Sequence, residues 1–127
     1  MWMNSDLLNL VERFTGRRVL LIGDFMLDRY VFGDAERISP EAPVPVLRVV
    51  ERQDRVGGSG SVAHGVLALG ARVRCFGLLG RDAFGDRVEQ FLREAGADTS
   101  GLLRVDDRPT ITKTRLVGLA EHRHRQQ

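Results

Sequence analysis

The sequence has one cysteine, one lysine, one tyrosine and one tryptophan, and no apolar run longer than four residues. Each shortage excludes something. A lone Cys75 forms no internal disulfide and fits a reducing, cytoplasmic compartment. It reads as a small buried core residue on a strand rather than a nucleophile. Runs as short as Val19–Ile22 cannot span a bilayer, which takes about 20 apolar residues. The start, MWMNSDLLNLVERF, has no positive n-region and contains Asp6 and Glu12, which excludes a secretory signal. Aromatics make up 6% of the chain, so the core must rest on Val, Leu, Ile and Ala. Net charge is only +2, and arginines alternate with Asp and Glu except in the tail HRHRQQ. The one-sided basic face of a nucleic-acid binder is therefore missing, and the tail reads as a solvated end. His64, His122 and His124 have no cysteine or spaced carboxylate to complete a zinc site.

What is there is ordinary for a globular protein: 43% hydrophobic and 28% charged residues in 127, enough for one domain or part of one. Asn4 to Thr15 predicts an amphipathic helix, with Leu7, Leu10, Val11 and Phe14 on one stripe. Arg17 to Gly23, RRVLLIG, predicts a strand buried on both faces. Asp24 to Arg29 is expected to be the connection leaving its carboxyl end. Tyr30 to Phe32 and Val44 to Val50 predict strands of another kind, because Pro40, Pro43 and Pro45 suit an edge or a flap rather than a sheet interior. Gly57 to Gly70 opens with glycines and becomes helical, with Val62, Val66 and Leu69 on the expected inner face. Arg72 to Leu79 predicts the next strand and Ala83 to Ala95 the next helix, with Phe84, Val88, Phe91 and Leu92 inward and Gly96 as its C-cap. Gly101 to Val105 predicts a short strand and Thr110 to Leu119 an extended segment. This alternation predicts an α/β fold with a parallel sheet. The main sheet is expected over about 1–29 and 51–107, and flap strands that pair with each other over about 30–50 and 108–120.

Two groups of residues carry candidate chemistry. Asp24 and Asp28 follow the first strand, and in open α/β sheets ligands lie beyond the carboxyl ends of strands. A carboxylate there can accept hydrogen bonds from adjacent sugar hydroxyls. Paired carboxylates also occur in metal sites and glycosidases, and a loop carboxylate such as Asp24 can simply cap backbone N–H groups. The second group is Gly57-Gly58-Ser59-Gly60-Ser61. Glycines at a helix start let backbone amides approach an anion or polar oxygen, although a tight turn also explains them. No Gly-Lys-Ser/Thr follows, so this is not a Walker A loop.

Taken in order, GDFMLDRY, RISPEAPVPVL, the GG-containing helix start, LGARVRCFGLLGRDAFG and TITKTR resemble the ribokinase-like (PfkB) carbohydrate kinases. Within them the SPEAPVPV stretch is most similar to the heptose-phosphate kinase branch that serves ADP-heptose and lipopolysaccharide synthesis, often the first domain of a bifunctional enzyme. The resemblance runs from about Arg17 to the end and implies the N-terminal half of a Rossmann-type three-layer fold with a small β lid. It implies that Asp28 binds sugar hydroxyls, that Gly57 and Gly58 let backbone approach the sugar, and that Ser61 stands where the family usually has Asn. Serine reaches less far and lacks the amide's two donors, so that contact is weakened. Lys113 and Arg115, two apart on one strand face, are placed by the resemblance where a substrate phosphate would lie; a solvated charged face is the other reading.

The resemblance also implies ATP and Mg²⁺ as cofactors, a sugar phosphate as substrate and a homodimer through the lid. No residue of this chain is assigned as catalytic, cofactor-binding or metal-binding, because the family's Gly-Ala-Gly-Asp type motif, with its base and ATP site, matches nothing in residues 1–127. The expected protein is the sugar-binding and lid part of a kinase acting on heptose 7-phosphate at its anomeric hydroxyl, inactive by itself. The alternatives are a kinase for another sugar and a non-enzymatic dimerisation or binding remnant, whose half-sheet would expose an apolar face.

Overall fold

The computed structural model describes residues 5–119 and 125–126, with the side chains of residues 5, 36, 125 and 126 left aside. The element order is α1 (Ser5–Glu12), β1 (Arg18–Ile22), β2 (Phe25–Ile38), β3 (Pro45–Gly58), α2 (Ser59–Ala68), β4 (Arg72–Gly80), α3 (Ala83–Glu94), β5 (Asp98–Val105), β6 (Thr112–Leu119) and β7 (Arg125–Gln126). His122 and His124 lie outside the described residues. The chain divides into two compact units, Met1–Leu27 with Val56–Ile111 and Asp28–Arg55 with Thr112–Gln127.

The first unit is α/β. Its sheet has the order β1-β4-β5, all parallel, with Val19 opposite Val73, Leu21 opposite Cys75 and Leu78 opposite Leu103. Helices α2 and α3 pack against these strands. The core gathers Phe25, Leu27, Val56, Ala63, Val73, Cys75, Leu79, Val88 and Leu92, with Leu21, Phe84, Phe91 and Leu102 packed around them. Full burial of each larger aliphatic side chain stabilises by about 1.5–3 kcal/mol, so this one-sided core carries most of the unit's stability. α3 forms because its apolar residues recur every three to four positions. Asp82 caps its start, accepting from the Gly85 N–H at 2.7 Å, and Gly96 ends it at φ 93°.

Several expectations are corrected here. β1 is not buried on both faces: Val19 and Leu21 turn inward, but Leu20 and Ile22 are 68% and 78% exposed. Period-two alternation separates the two sets, and among the described residues nothing covers the outer one. The same face continues through Leu78 and Leu103. Phe25 to Arg29 is strand, not connection; only Gly23 and Asp24 join β1 to β2. On α2, Val62 and Leu69 are exposed and the buried positions are Gly60 and Ala63, because the helix start is turned by the close fit of Gly60 to Val56. The stripe Leu7, Leu10, Val11 and Phe14 around α1 is also exposed.

The second unit is a sheet of order β3-β2-β6-β7. The strands over 30–50 extend further than the sequence pattern implies, β2 to Ile38 and β3 to Gly58. Six residues join them, and a connection this short makes antiparallel neighbours. It is closed by the Ser39 N–H donating to the Val44 carbonyl at 2.8 Å, with the Glu41 N–H on the Ser39 hydroxyl at 3.2 Å. Pro45 opens β3, which lies at the edge of the sheet order, where a missing N–H costs nothing. Gly118 pairs with Gln126 and Leu119 with Arg125 in the β6–β7 register.

Candidate functional site

In the first unit, β1 ends at Ile22 and the chain turns through Gly23 and Asp24 at the carboxyl edge of the parallel sheet, where open α/β folds take their ligands. The turn is tied to the start of α2 by backbone. The Ser59 N–H donates to the Asp24 carbonyl at 2.9 Å, so the carbonyl of Asp24 makes the joint, not the carboxylate expected to cap N–H groups. The joint depends on Gly58. Its backbone, at φ 58° and ψ −130°, is open to glycine alone, and a Cβ there would stand 2.6 Å from the Asp24 carbonyl oxygen. Gly57 is buried at the end of β3. The Ser61 hydroxyl donates to the Val56 carbonyl at 3.1 Å, which anchors the first turn of α2 to the strand before it. No side chain caps the α2 N-terminus, so amide N–H groups in its first turn remain for a polar oxygen or an anion.

The second unit holds Asp28 within a cluster from three strands. On β6, Arg115 donates through Nη1 to the Tyr30 hydroxyl at 2.9 Å and to the Asp28 carboxylate at 3.5 Å. Its guanidinium lies 4.9 Å from the Tyr30 ring centroid, and that of Arg55 on β3 lies 5.5 Å from the same centroid. Tyr30 stacks on Phe32 with centroids 6.4 Å apart. Asp28, Tyr30 and Phe32 alternate along β2 and so share one face. Between them Arg29 makes a two-pronged ion pair with Asp54, at 2.7 and 2.8 Å. The hydrogen bond that Arg29 donates to Asp54 raises the Arg29 pKa against the opposing effect of burial. Lys113 is exposed on β6, two residues before Arg115.

The expected site residues thus fall into two sets: Gly57, Gly58 and Ser61 with Asp24 in the first unit, Asp28 and Lys113 with Arg115 in the second. Tyr30 and Arg55 were not expected. The spacing of Tyr30 from Asp28 was a usable signal once that segment is read as strand. Arg55 gave none, because the β3 pattern is polar from Glu51 onward.

A cavity of about 650 Å³ lies elsewhere, at the amino-terminal end of the parallel strands among Arg18, Leu20, Arg72, Arg74, Gly96 and Asp98. There Asp98 is held at a pKa of about 2 by hydrogen bonds from Ser100 and then from Arg74. This cavity belongs to the uncovered sheet face and sits at the wrong end of the strands for the ligand edge.

Residues 17–124 match the sequence profile of the pfkB family carbohydrate kinases. The chain belongs to that family. It is 50% identical over 107 residues to a D-beta-D-heptose 7-phosphate kinase of Bordetella bronchiseptica, covering 84% of this chain and 34% of that protein. It is 41% identical over 119 residues to the bifunctional protein HldE of Methylobacillus flagellatus, covering 91% of this chain and 24% of that one. Among solved structures it is similar to a fructokinase with bound ATP from Xylella fastidiosa, with a TM-score of 0.58 and 27% identity over 87% of this chain and 32% of the other. The chain therefore spans between about a quarter and a third of the length of these pfkB relatives, and its α/β architecture is theirs in part.

Proposed function

We propose that this chain is the sugar-binding part of an ATP-dependent kinase that phosphorylates D-glycero-D-manno-heptose 7-phosphate at its anomeric hydroxyl, in ADP-heptose and lipopolysaccharide core synthesis in the cytoplasm. The observation that carries the reading is the 50% identity with a heptose 7-phosphate kinase over most of the chain. The geometry agrees with it. Asp28 offers a carboxylate to two neighbouring sugar hydroxyls, and the glycines before α2 leave amide N–H groups open to a sugar oxygen. Such contacts hold a substrate and orient its reacting hydroxyl, which is a large share of catalysis by kinases.

Phosphoryl transfer also needs a base on the attacking hydroxyl and positive charge on the transferred group. ATP, with Mg²⁺, supplies the phosphoryl group and that charge. Among the described residues no three His, Cys, Asp or Glu side chains come together. We assign base, ATP and Mg²⁺ to the length that the relatives have and this chain does not span. The second unit serves as lid and pairs with a second copy. Its exposed Ile38, Val44, Val50 and Leu116 support that pairing.

The test is a chimera in which residues 1–127 replace the matching third of the Bordetella enzyme. ATP consumption is expected with heptose 7-phosphate and at least tenfold less with ribose or fructose. Preference for ribose or fructose would overturn the substrate reading. Turnover by the 127-residue chain alone would overturn the assignment of the base.

A further inference from the structure

We propose that Asp82 and Thr110 form a positioning clamp, which fixes where β6 starts beside β2 and so holds Asp28 and Arg115 in register for the sugar. The inference rests on the sugar-binding role given to Asp28 and adds to it two residues that touch no sugar.

The clamp is built on GRDAFG, Gly80 to Gly85. Asp82 accepts the Gly85 N–H at 2.7 Å on one carboxylate oxygen and the Thr110 N–H at 2.8 Å on the other. An N-cap aspartate needs only the N–H groups of its own helix. The second oxygen of Asp82 instead reaches a residue 28 positions away. The Thr110 hydroxyl accepts the Gly80 N–H at 3.0 Å, and Arg104, itself held by Glu89 at 2.6 Å, donates to the Gly80 carbonyl at 3.0 Å. The fit leaves no slack. A Cβ on Gly80 would stand 2.6 Å from the Asp82 carboxylate and 2.7 Å from the Thr110 nitrogen, and one on Gly85 would stand 2.8 Å from the Thr110 hydroxyl. Close approach therefore requires both glycines, and it leaves the buried Thr110 a single position.

What the clamp holds is the strand pair that carries the sugar contacts. Ile111 follows Thr110, and its carbonyl accepts the Leu27 N–H at 2.9 Å. Leu27 is fully buried and immediately precedes Asp28. At these two residues the chain passes from the first unit into the second, at Asp28 on β2 and at Thr112, the start of β6. β2 and β6 are neighbours in the second sheet, where Arg115 donates to Asp28 at 3.5 Å and to Tyr30 at 2.9 Å. Strand register is discrete, because a slip of one residue turns every side chain to the other face. A slip of β6 would put Thr114 or Leu116 where Arg115 stands. The Leu27–Ile111 bond sets the register, and Asp82 fixes Ile111 through Thr110.

The experiment titrates the 127-residue chain by calorimetry with D-glycero-D-manno-heptose 7-phosphate. It also follows hydrogen exchange of the Leu27 amide by NMR, as a ratio to the amides of β4, because global unfolding speeds both alike. It compares wild type with Asp82→Asn, Thr110→Val, Thr110→Ser and Val88→Ala. Val88 is fully buried on α3 and has no polar group to give the clamp, so its variant controls for lost stability. A misplaced charge-assisted hydrogen bond to the sugar is worth roughly tenfold or more in affinity. Asp82→Asn and Thr110→Val are expected to bind about tenfold more weakly and to raise the exchange ratio about tenfold. Thr110→Ser keeps the hydroxyl and should stay near wild type in both. Val88→Ala should melt lower with affinity and ratio unchanged. Wild-type affinity in Asp82→Asn and Thr110→Val, or an equal loss in Val88→Ala or Thr110→Ser, overturns the clamp and leaves the sugar reading standing. No binding by wild type overturns the sugar reading, and the exchange ratio then decides the clamp alone. A ratio in the two clamp variants equal to that of wild type overturns the clamp in every case.

Discussion

The corner between β4 and α3 is where one side chain holds most. Asp82 accepts the Gly85 N–H at 2.7 Å with one oxygen and the Thr110 N–H at 2.8 Å with the other, and the Thr110 hydroxyl accepts the Gly80 N–H at 3.0 Å. Thr110 is only 5% exposed, so water does not replace a lost partner there. Asp82→Ala removes a helix cap, at about 1 kcal/mol. It also strands the Thr110 N–H, at about 1–3 kcal/mol. The expected loss is about 2–4 kcal/mol, which lowers the melting temperature by roughly 6–16 °C for a chain of this size. Asp82→Asn should lose somewhat less, because its amide oxygen still serves one N–H while its NH₂ meets the other donor. Burial opposes the Asp82 charge, but the hydrogen bonds from Thr110, Gly85 and Phe84 outweigh it and hold the pKa below the ordinary value. A depressed carboxyl contributes stability above the unfolded pKa of about 3.9 and loses it as pH falls through the folded value. The gap between wild type and Asp82→Asn, followed by thermal melts, should therefore be full at pH 7 and close below about pH 4. An Asp82→Ala melting temperature within 2 °C of wild type, or a gap that does not change with pH, refutes the reasoning.

Gly58→Ala should cost about 2–4 kcal/mol, from backbone strain of about 1–3 kcal/mol and loss of the Ser59 to Asp24 hydrogen bond at about 1 kcal/mol, read as a lower urea midpoint. Cys75 is fully buried, and burial followed by the Asp98 charge raises its thiol pKa. Its reaction with a thiol reagent at pH 8 should run about 10³-fold or more slower than in denaturant, at a rate that follows opening of the core. Leu103→Lys, on the uncovered sheet face at 62% exposure, should change stability by less than about 0.5 kcal/mol and reduce self-association in sedimentation velocity.

What was legible followed from periodicity and punctuation. The α3 stripe and Gly96 name a helix, and the order of elements names a parallel sheet. The prolines place β3 at an edge before any coordinate does. Less legible was anything that depends on what covers a surface. RRVLLIG reads as a doubly buried strand because its composition does, yet Leu20 and Ile22 are exposed. Residues 25–29 read as a loop because Asp28 and Arg29 look polar, but Asp54 and Arg115 supply the partners that let those side chains sit on a sheet. Partners distant in sequence also hid the role of Tyr30, whose two arginines come from strands 25 and 85 positions away.

The two surfaces that look most like sites illustrate how chemistry must outweigh volume. The 650 Å³ cavity is large because a sheet face stands uncovered, and its arginines are spread along strand starts, with Arg74 already paired to Asp98. The cluster around Tyr30 instead brings two guanidiniums, a carboxylate and an aromatic ring together from three strands. Exposed apolar residues such as Leu20 and Ile22 are satisfied by any apolar layer, and that breadth is what a packing surface needs. A carboxylate within 3.5 Å of a guanidinium that also bonds a phenol hydroxyl is a directional arrangement, which a partner must match in geometry as well as in charge. Specific recognition is therefore to be sought along β2 and β6, while the open face of β1, β4 and β5 answers to packing.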